Sequence, residues 1–337
     1  MKRSISFLQF LLIPLGCLYG LIQFVRRYLY QLGVLKSIRL PGKVISVGNL
    51  EVGGTGKSPI TIAIAKAIIA QGGTPAIVTR GYRSGMGANE SCVLINGKML
   101  LPPKDTQSFF ADEARMQSAL LPDTPIIIGR DRVGSCRRYL EKNSAPSHWL
   151  LDDGFQHLKI ERDLNIALLD AKYPLDNGLV LPAGRLREFP NTLNQASILV
   201  LTRANPEGFK LPKSLQKFNS LTYFSRFNIG DPTIVRPVGK EKVFDKNWNT
   251  LLLCGIAKPA DLIKSVKDKG IKVNQTLIVR DHQPFLLRDI KEKINSCDAI
   301  ITTEKDYFRD TSIFSELEIP VATLPLTADI SEFQHIL

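Results

Sequence analysis

The chain has 337 residues, 44 Lys and Arg against 32 Asp and Glu, five Cys, and a hydrophobic fraction of 44%. That length suggests about two domains with ample material for packed cores, and this composition excludes both a disordered tail and a polytopic membrane protein. The cysteines, at 17, 92, 136, 254 and 297, form no C-x-x-C pair, so neither a zinc site nor a disulfide framework is supported, and a reducing compartment is the simplest reading.

Of the formal net charge of +12, seven basic residues (Lys2, Arg3, Arg26, Arg27, Lys36, Arg39 and Lys43) fall before residue 44, where there is no acid. Nothing resembles the folded basic patch and aromatic platforms of a nucleic-acid reader, so no nucleic-acid partner is expected. A basic arm suits an anionic membrane surface. Ser4 to Val25 carries no charge and is long enough to span a bilayer. Yet Ser6, Gln9, Gly16, Gly20, Gln23 and Arg27 recur at helical spacing as one small or polar stripe, with Phe7, Leu11, Leu18, Leu21, Ile22 and Val25 largely elsewhere. A membrane-associated helix over residues 1–30, lying in the headgroup plane, is therefore expected ahead of a single span or a core helix. Pro14 is expected to kink it. The apolar run ends at Arg26-Arg27 with no small-residue cleavage site, so the segment is expected to be retained and not to be a signal peptide.

Short apolar runs follow at Val44–Val47, Ala76–Thr79, Pro125–Ile128, Trp149–Leu151, Ile166–Leu169 and Ile198–Leu201, and later at Leu251–Cys254, Ala299–Thr302 and Val321–Leu324. Helical stretches such as Ser58–Ala70, Asp112–Leu120, Arg130–Lys142 and Lys258–Lys269 lie between them. This alternation predicts an α/β protein with a doubly wound parallel sheet, whose ligands sit at the carboxyl ends of the strands. Leu221–Lys240 breaks the rhythm, alternating aromatic or β-branched with polar residues around Gly230-Asp231-Pro232. It reads as a two-stranded linker, which divides the rest into a domain over 31–220 and a smaller α/β domain over 241–337.

The strand Val44–Val47 runs into Gly48-Asn-Leu-Glu-Val-Gly-Gly-Thr-Gly-Lys-Ser58 and then an apolar helix, the context a phosphate loop needs. Gly53, Gly54 and Gly56, with Thr55 between them, bring backbone N–H groups close to phosphate oxygens. Lys57 supplies a point charge, and the Ser58 hydroxyl suits Mg²⁺. Aligned on Gly56-Lys57-Ser58, the usual pattern wants Gly at position 51, where this chain has Glu51. Asp152-Asp153 closes an apolar run as a metal-holding acid would. Leu168-Leu169-Asp170 has the same shape, but Gly154-Phe-Gln-His157 after Asp152 favours the former. Thr303-Glu-Lys-Asp306 and Thr202-Arg-Ala-Asn205 also follow strands, as a guanine-reading loop would, but neither has the Asn-Lys-x-Asp form.

Taken in order, Gly48-Asn49…Gly53-Gly54-Thr55-Gly56-Lys57-Ser58-Pro59, Arg80-Gly81-Tyr82, Asp112-Glu113, Gly129-Arg-Asp-Arg132, Asp152-Asp153-Gly154-Phe155-Gln156-His157, Leu181-Pro-Ala-Gly184…Leu186-Arg187-Glu188, Asp281-His282 and Thr303-Glu304-Lys305-Asp306 resemble the tetraacyldisaccharide 4′-kinase family of lipid A biosynthesis. The resemblance spans nearly the whole chain, and the family's own phosphate loop is atypical, which accommodates Glu51. It implies transfer of the ATP γ-phosphoryl group to the 4′-hydroxyl of a tetraacylated glucosamine disaccharide 1-phosphate, forming lipid IVA, on P-loop NTPase-like α/β domains. ATP and Mg²⁺ are the implied cofactors. Asp112 is implied as general base tuned by His282, with Glu113 or Asp152 joining Ser58 around the metal. Arg80, Tyr82, Arg132, Gln156, His157, Arg187 and Glu188 are implied at the substrate, where guanidinium groups suit its phosphate. A four-chain glycolipid stays in its membrane, so the enzyme is expected on the cytoplasmic face of the bacterial inner membrane, its basic arm facing anionic inner-leaflet lipid. The competing readings are a P-loop GTPase or ATPase switch and a non-catalytic nucleotide sensor.

Overall fold

Ser6 followed three residues on by Gln9 is a capping box, and it starts the first helix, α1 (Phe7–Leu11): Ser6 Oγ accepts from the Gln9 N–H, and Gln9 Oε1 accepts from the Ser6 N–H. The computed structural model describes residues 6–81, 86–88, 90–101, 112–204, 207, 209–237, 243–256, 259–280 and 283–337. After a break at Leu12 comes α2 (Ile13–Gln31). Pro14 does not kink one continuous helix as expected. It lies in the first turn of α2, where its missing N–H costs no internal bond.

The small-residue stripe is the docking face of α2, with Gly16, Gly20 and Arg27 buried. A Cβ at Gly16 would stand 2.8 Å from the Val180 carbonyl oxygen, and one at Gly20 2.5 Å from the Phe189 ring. Leu18, Leu21, Ile22, Val25 and Tyr28 are exposed on the remainder. Among the described residues no helix is long and apolar enough to cross a membrane.

Nine strands form the main sheet: β1 (Lys43–Asn49), β2 (Pro75–Thr79), β3 (Ser91–Ile95), β4 (Lys98–Leu101), β5 (Ile126–Gly129), β6 (His148–Asp152), β7 (Leu164–Asp170), β8 (Ile198–Thr202) and β9 (Thr222–Ser225). Their order is β4-β3-β5-β2-β6-β1-β7-β8-β9, and all neighbours are parallel except the pairs made by β3. Helices α3 (Lys57–Ala70), α4 (Asp112–Leu120) and α5 (Arg132–Leu140) connect them. Val44, Ala76, Val78, Ile127, Trp149 and Leu151 pack with Cys136 and Tyr139 of α5 on one face. The alternate residues Ile45, Val47, Ile77, Ile126, Ile128 and Leu150 are fully enclosed as well. A strand buried on both sides reads as a continuous apolar run, which is why these strands are legible and why the sheet is doubly wound. Strand order turns outward in both directions from β1, so the loop after β1 occupies the switch point between β6 and β7.

The chain divides into two units, one of Met1–Phe109, Gln117–Phe227 and Ala328–Leu337, the other of Phe110–Met116 and Asn228–Thr327. The last ten residues, which the sequence reading assigns to the C-terminal domain, thus group with the first unit. There Phe333 is fully buried beside Tyr223, and Glu332 accepts from the Phe224 N–H at 2.7 Å. The stretch 221–240 does not supply both strands of a linker. Its segments are β9, β10 (Phe227–Ile229) and β11 (Thr233–Arg236), and β10 pairs with a distant strand, β16 (Leu326–Ala328).

The second unit has its own sheet of β11, β12 (Thr250–Cys254), β13 (Val273–Ile278), β14 (Ala299–Thr303) and β15 (Val321–Leu324), in the order β11-β15-β14-β12-β13, with β11 antiparallel. Helices α6 (Pro259–Asp268), α7 (Leu287–Ile294), α8 (Glu304–Arg309) and α9 (Thr311–Ser315) complete it. Leu252, Cys254, Ile301 and Leu324 build one core, and Leu251, Leu253, Ile300 and Val321 the other. Cys17, Cys136 and Cys297 are free, and burial pushes the Cys136 thiol up to about 12.

Candidate active site

The glycine-rich loop turns from β1 into α3 through two left-handed glycines, Gly53 (φ 127°) and Gly56 (φ 86°). Gly56 is the N-cap of α3, and a Cβ there would collide with the Phe227 ring. Glu51 forms an isolated antiparallel bridge with Leu186, and the Val52 N–H donates to the Arg185 carbonyl at 2.9 Å. Extended backbone at position 51 needs no glycine, which explains the departure seen in the sequence. Two arginines hold the loop's carbonyls: Arg185 donates to Val52 O at 2.6 Å and Arg203 to Gly54 O at 3.0 Å. The Asn49 amide donates to Thr55 Oγ1 at 2.9 Å. Lys57 Nζ lies 3.5 Å from both Asn49 Oδ1 and Gly53 O and 3.7 Å from Asp153 Oδ1, at the start of a helix that has Ser58 as its second residue.

At the end of β6, Asp152 and Asp153 diverge. Asp152 is buried, and its Oδ2 accepts from Gln117 Nε2 at 2.6 Å. Asp153 is in the left-handed region (φ 50°), a conformation that Asp tolerates better than most residues and that concentrates at functional sites. The turn delivers its carboxylate to Lys57 and to Arg187 Nη1, 2.9 Å from both oxygens. Burial raises the Asp153 pKa, but Lys57 and Arg187 together outweigh it and hold the group below the usual carboxylate range. Asp170, the sequence-level competitor, is engaged by Arg203 at 2.8 Å and by its own turn at the Lys172 N–H.

Gln156 joins the two motifs, donating to Asn49 O at 2.9 Å and accepting from Arg187 at 3.1 Å. Arg132, expected at the substrate, is buried instead and donates to the carbonyls of Asp152 and Asp153, bracing the strand end from beneath. Glu188, also expected there, is buried in an ion pair with Arg27 of α2 at 2.6 Å. Burial pushes its carboxyl up against the opposing pull of Arg27. Arg26 donates to Gln156 O and Arg27 to Phe155 O, so the N-terminal helix holds the loop after β6. His157 is pushed down to about 3, by burial first and then by Arg132, and its Nε2 has no hydrogen-bond partner among the described residues. Arg80 is exposed at the end of β2. Tyr82 and His282 lie outside the described residues.

The second unit has its own polar cluster. Thr303 caps α8: its Oγ1 accepts from the Asp306 N–H and donates to Asp306 Oδ2, which also accepts from the Gly255 N–H. Asp306 is 1% exposed and pairs with Arg309 at 2.7 Å, so in Thr303-Glu-Lys-Asp306 the threonine is a helix cap and the aspartate is engaged by the protein itself. Arg309 also donates to the carbonyls of Gly255 and Gln283, and its Nε lies 3.7 Å from Asp112. Lys305 lies 3.6 Å from Glu113. The basic residues of α8 thereby position the acidic pair that opens α4. Asn49, Arg185, Arg203 and Arg309, which hold these loops and the acidic pair, are residues that sequence reasoning did not single out for the site. Asn49 lay inside the phosphate-loop motif and Arg203 inside Thr202-Arg-Ala-Asn205.

No three-ligand acidic or histidine cluster that could hold a metal ion occurs among the described residues. Mg²⁺ asks less, one or two carboxylates with a hydroxyl and phosphate oxygens. Asp153 beside Lys57, with Asp152 adjoining and Ser58 in the same loop-helix turn, is a donor set of that kind.

A model of the LpxK family, tetraacyldisaccharide-1-P 4′-kinase, matches residues 8–337. The tetraacyldisaccharide 4′-kinase of Pelobacter propionicus is 36% identical over 305 residues, which cover 88% of this chain and 81% of that one. Its counterpart from Desulfotalea psychrophila is 33% identical over 333 residues, 96% and 94% of the two chains. Among solved structures, the "apo" form of LpxK from Aquifex aeolicus in complex with ATP is similar with a TM-score of 0.74 and 29% identity, covering 96% of each chain.

Proposed function

This chain belongs to the tetraacyldisaccharide-1-P 4′-kinase family, and from that membership we propose that it transfers the γ-phosphoryl group of ATP to the 4′-hydroxyl of tetraacyldisaccharide 1-phosphate, forming lipid IVA in lipid A biosynthesis. The observation that carries this reading is Lys57, whose ammonium is held beside Asp153 at the mouth of a loop with two left-handed glycines.

In the proposed reaction the acceptor oxygen bonds to the γ-phosphorus, the bond to the β–γ bridging oxygen breaks, ADP leaves, and the hydroxyl proton goes to a base. Catalysis of such transfer is mostly positioning and charge stabilisation. The N–H groups of residues 53–57 and the Lys57 ammonium bind the phosphates. Ser58 with Glu113, Asp152 or Asp153 would hold Mg²⁺, which supplies charge neutralisation on the phosphate oxygens when bound. Asp112 is the proposed proton acceptor, positioned by Arg309. An aspartate alone is a weak base at neutral pH, which is the chemical reason for proposing His282 as its partner. Arg187 and Gln156, tied to each other, and Arg80 are proposed for the acceptor's phosphate and sugar.

The exposed apolar residues of α2 support an interfacial helix, and ATP as phosphoryl donor is the reason for proposing the cytoplasmic face of the inner membrane. The test is mass spectrometry of lipid after incubation with ATP, Mg²⁺ and tetraacyldisaccharide 1-phosphate in detergent micelles. One added phosphate, lost in Lys57→Ala, is the expected result. Nucleotide hydrolysis with unmodified lipid would overturn the reading in favour of a switch NTPase.

A further inference from the structure

Beside the last turn of α2, at the N-terminal ends of β7 and β8, lies a cavity of about 390 Å³. Its wall includes Arg27, Tyr30 and Gln31 from α2, Arg39 from the segment before β1, Arg162 from the β6–β7 connection, and Gln195. None of these groups belongs to the phosphate-loop site.

Charge at this place is unbalanced. Arg26, Arg27 and Arg162 all act on one buried carboxylate, Glu188, which Arg27 already engages at 2.6 Å. Arg27 also donates to Gln195 Oε1 and Phe155 O, yet its buried Nε has no partner among the described residues. Arg162 donates to Phe155 O at 3.2 Å and is pushed down to about 10, first by burial and then by Arg27. At the rim, Arg39 is matched by Glu161 and Asp163. With the rim included, four guanidinium groups (Arg26, Arg27, Arg39 and Arg162) meet three carboxylates (Glu161, Asp163 and Glu188), which leaves one positive charge in excess that an anion offsets, and a guanidinium fork suits phosphate oxygens.

The surroundings indicate where that anion comes from. Tyr28 and Leu32, which flank Tyr30 and Gln31 along α2, are 50% and 58% exposed, as are Val34 (65%) and Leu35 (38%) after it. An interfacial helix buries such residues at the headgroup–acyl boundary, which brings the polar groups beside them to headgroup depth. We propose that this cavity is a second lipid site, taking the phosphate of an anionic bilayer lipid headgroup through Arg162 and Arg27, separate from the acceptor of phosphoryl transfer. The proposal rests on the reading that α2 works at a membrane surface.

The test is sedimentation of the full-length protein with vesicles of phosphatidylcholine alone, or with about a third phosphatidylglycerol, by wild type, Arg162→Gln, Arg162→Lys and Lys36→Gln. Lys36 is an exposed charge in the same arm, and its loss measures the generic surface effect, about fivefold in anionic-vesicle affinity. Arg162→Gln should lose about tenfold or more, as expected for charge-assisted hydrogen bonds. Arg162→Lys should fall between, and binding to neutral vesicles should be unchanged. On wild type, inorganic phosphate should displace anionic vesicles better than chloride of equal ionic strength, a readout that needs no variant. An Arg162→Gln loss no greater than that of Lys36→Gln overturns the proposal while leaving the membrane reading intact, as does phosphate that competes no better than chloride. Wild type that binds neither vesicle overturns both. Phosphate binding that depends on Arg162 without altering vesicle preference would make this a free-phosphate site and overturn the lipid source.

Discussion

Lys57 stands 3.7 Å from Asp153 and 3.5 Å from the Gly53 carbonyl, so Lys57→Ala removes the loop's ammonium while leaving the glycine turn intact. Turnover should fall by about 10²–10³-fold, the scale for losing one preorganised electrostatic donor, measured as phosphate incorporated into lipid. His157 gives a pH signature. Its folded pKa of about 3 lies below the unfolded value, so the unfolded chain binds the extra proton between about pH 6.5 and 3. Its contribution to stability is therefore whole above the unfolded pKa and is lost as pH falls through that window. Denaturant titrations of His157→Gln should show a shallower acid slope there, and an unchanged slope would count against a neutral buried imidazole. Arg27 and Glu188, 3% and 1% exposed, form a pair of the kind whose single disruption costs about 3–5 kcal/mol, because one charge stays buried alone. Glu188→Leu should lower stability by that order and Arg27→Met/Glu188→Leu should recover part of it, read by urea unfolding. At this scale the motif residues were legible, because glycine, lysine and paired carboxylates announce their chemistry. Their roles were less so. Arg132 and Glu188 look like substrate ligands in a string of letters, and only burial shows that each is engaged by the protein itself.

At the level of elements, α2 combines two faces that a deletion cannot separate. Removing residues 1–27 takes away Arg26 and Arg27, which hold the Gln156 and Phe155 carbonyls, and so should harm the site even in detergent. Polar replacement of Leu18, Leu21 and Val25, about half exposed, leaves the docking stripe intact. That variant should keep turnover on detergent-dispersed substrate and lose it on vesicle-embedded substrate; equal loss on both would mean that the face packs within the protein. The docking stripe was visible from its spacing, and the parallel strands from their unbroken apolar runs. The linker strands were not, because a three-residue strand such as Phe227–Ile229 takes its identity from a partner about a hundred residues away.

Across the whole molecule, the chain leaves its first unit after Phe227 and returns at Ala328, so both ends of the sequence stabilise one unit. Phe333 is fully buried, and Phe333→Ala should cost about 3–5 kcal/mol by the usual scale for a buried aromatic. The two tryptophans make this measurable unit by unit, since Trp149 belongs to the first core and Trp248 packs on a core of the second. In a Trp248→Phe background the emission of Trp149 should report the loss; a Phe333→Ala melt unchanged at Trp149 would show that the C-terminal return carries little. The sequence by itself determined the α/β class, the phosphate loop and the family, because these rest on local properties: apolar runs long enough for strands, glycines where backbone must turn left-handed, and motifs of adjacent residues. Only the tertiary structure decided which acid meets Lys57, which arginines clamp the loop, and where the last ten residues fold. Those outcomes depend on which distant backbone groups are brought together and on which charges lose their water, and neither quantity is written in the order of residues along the chain.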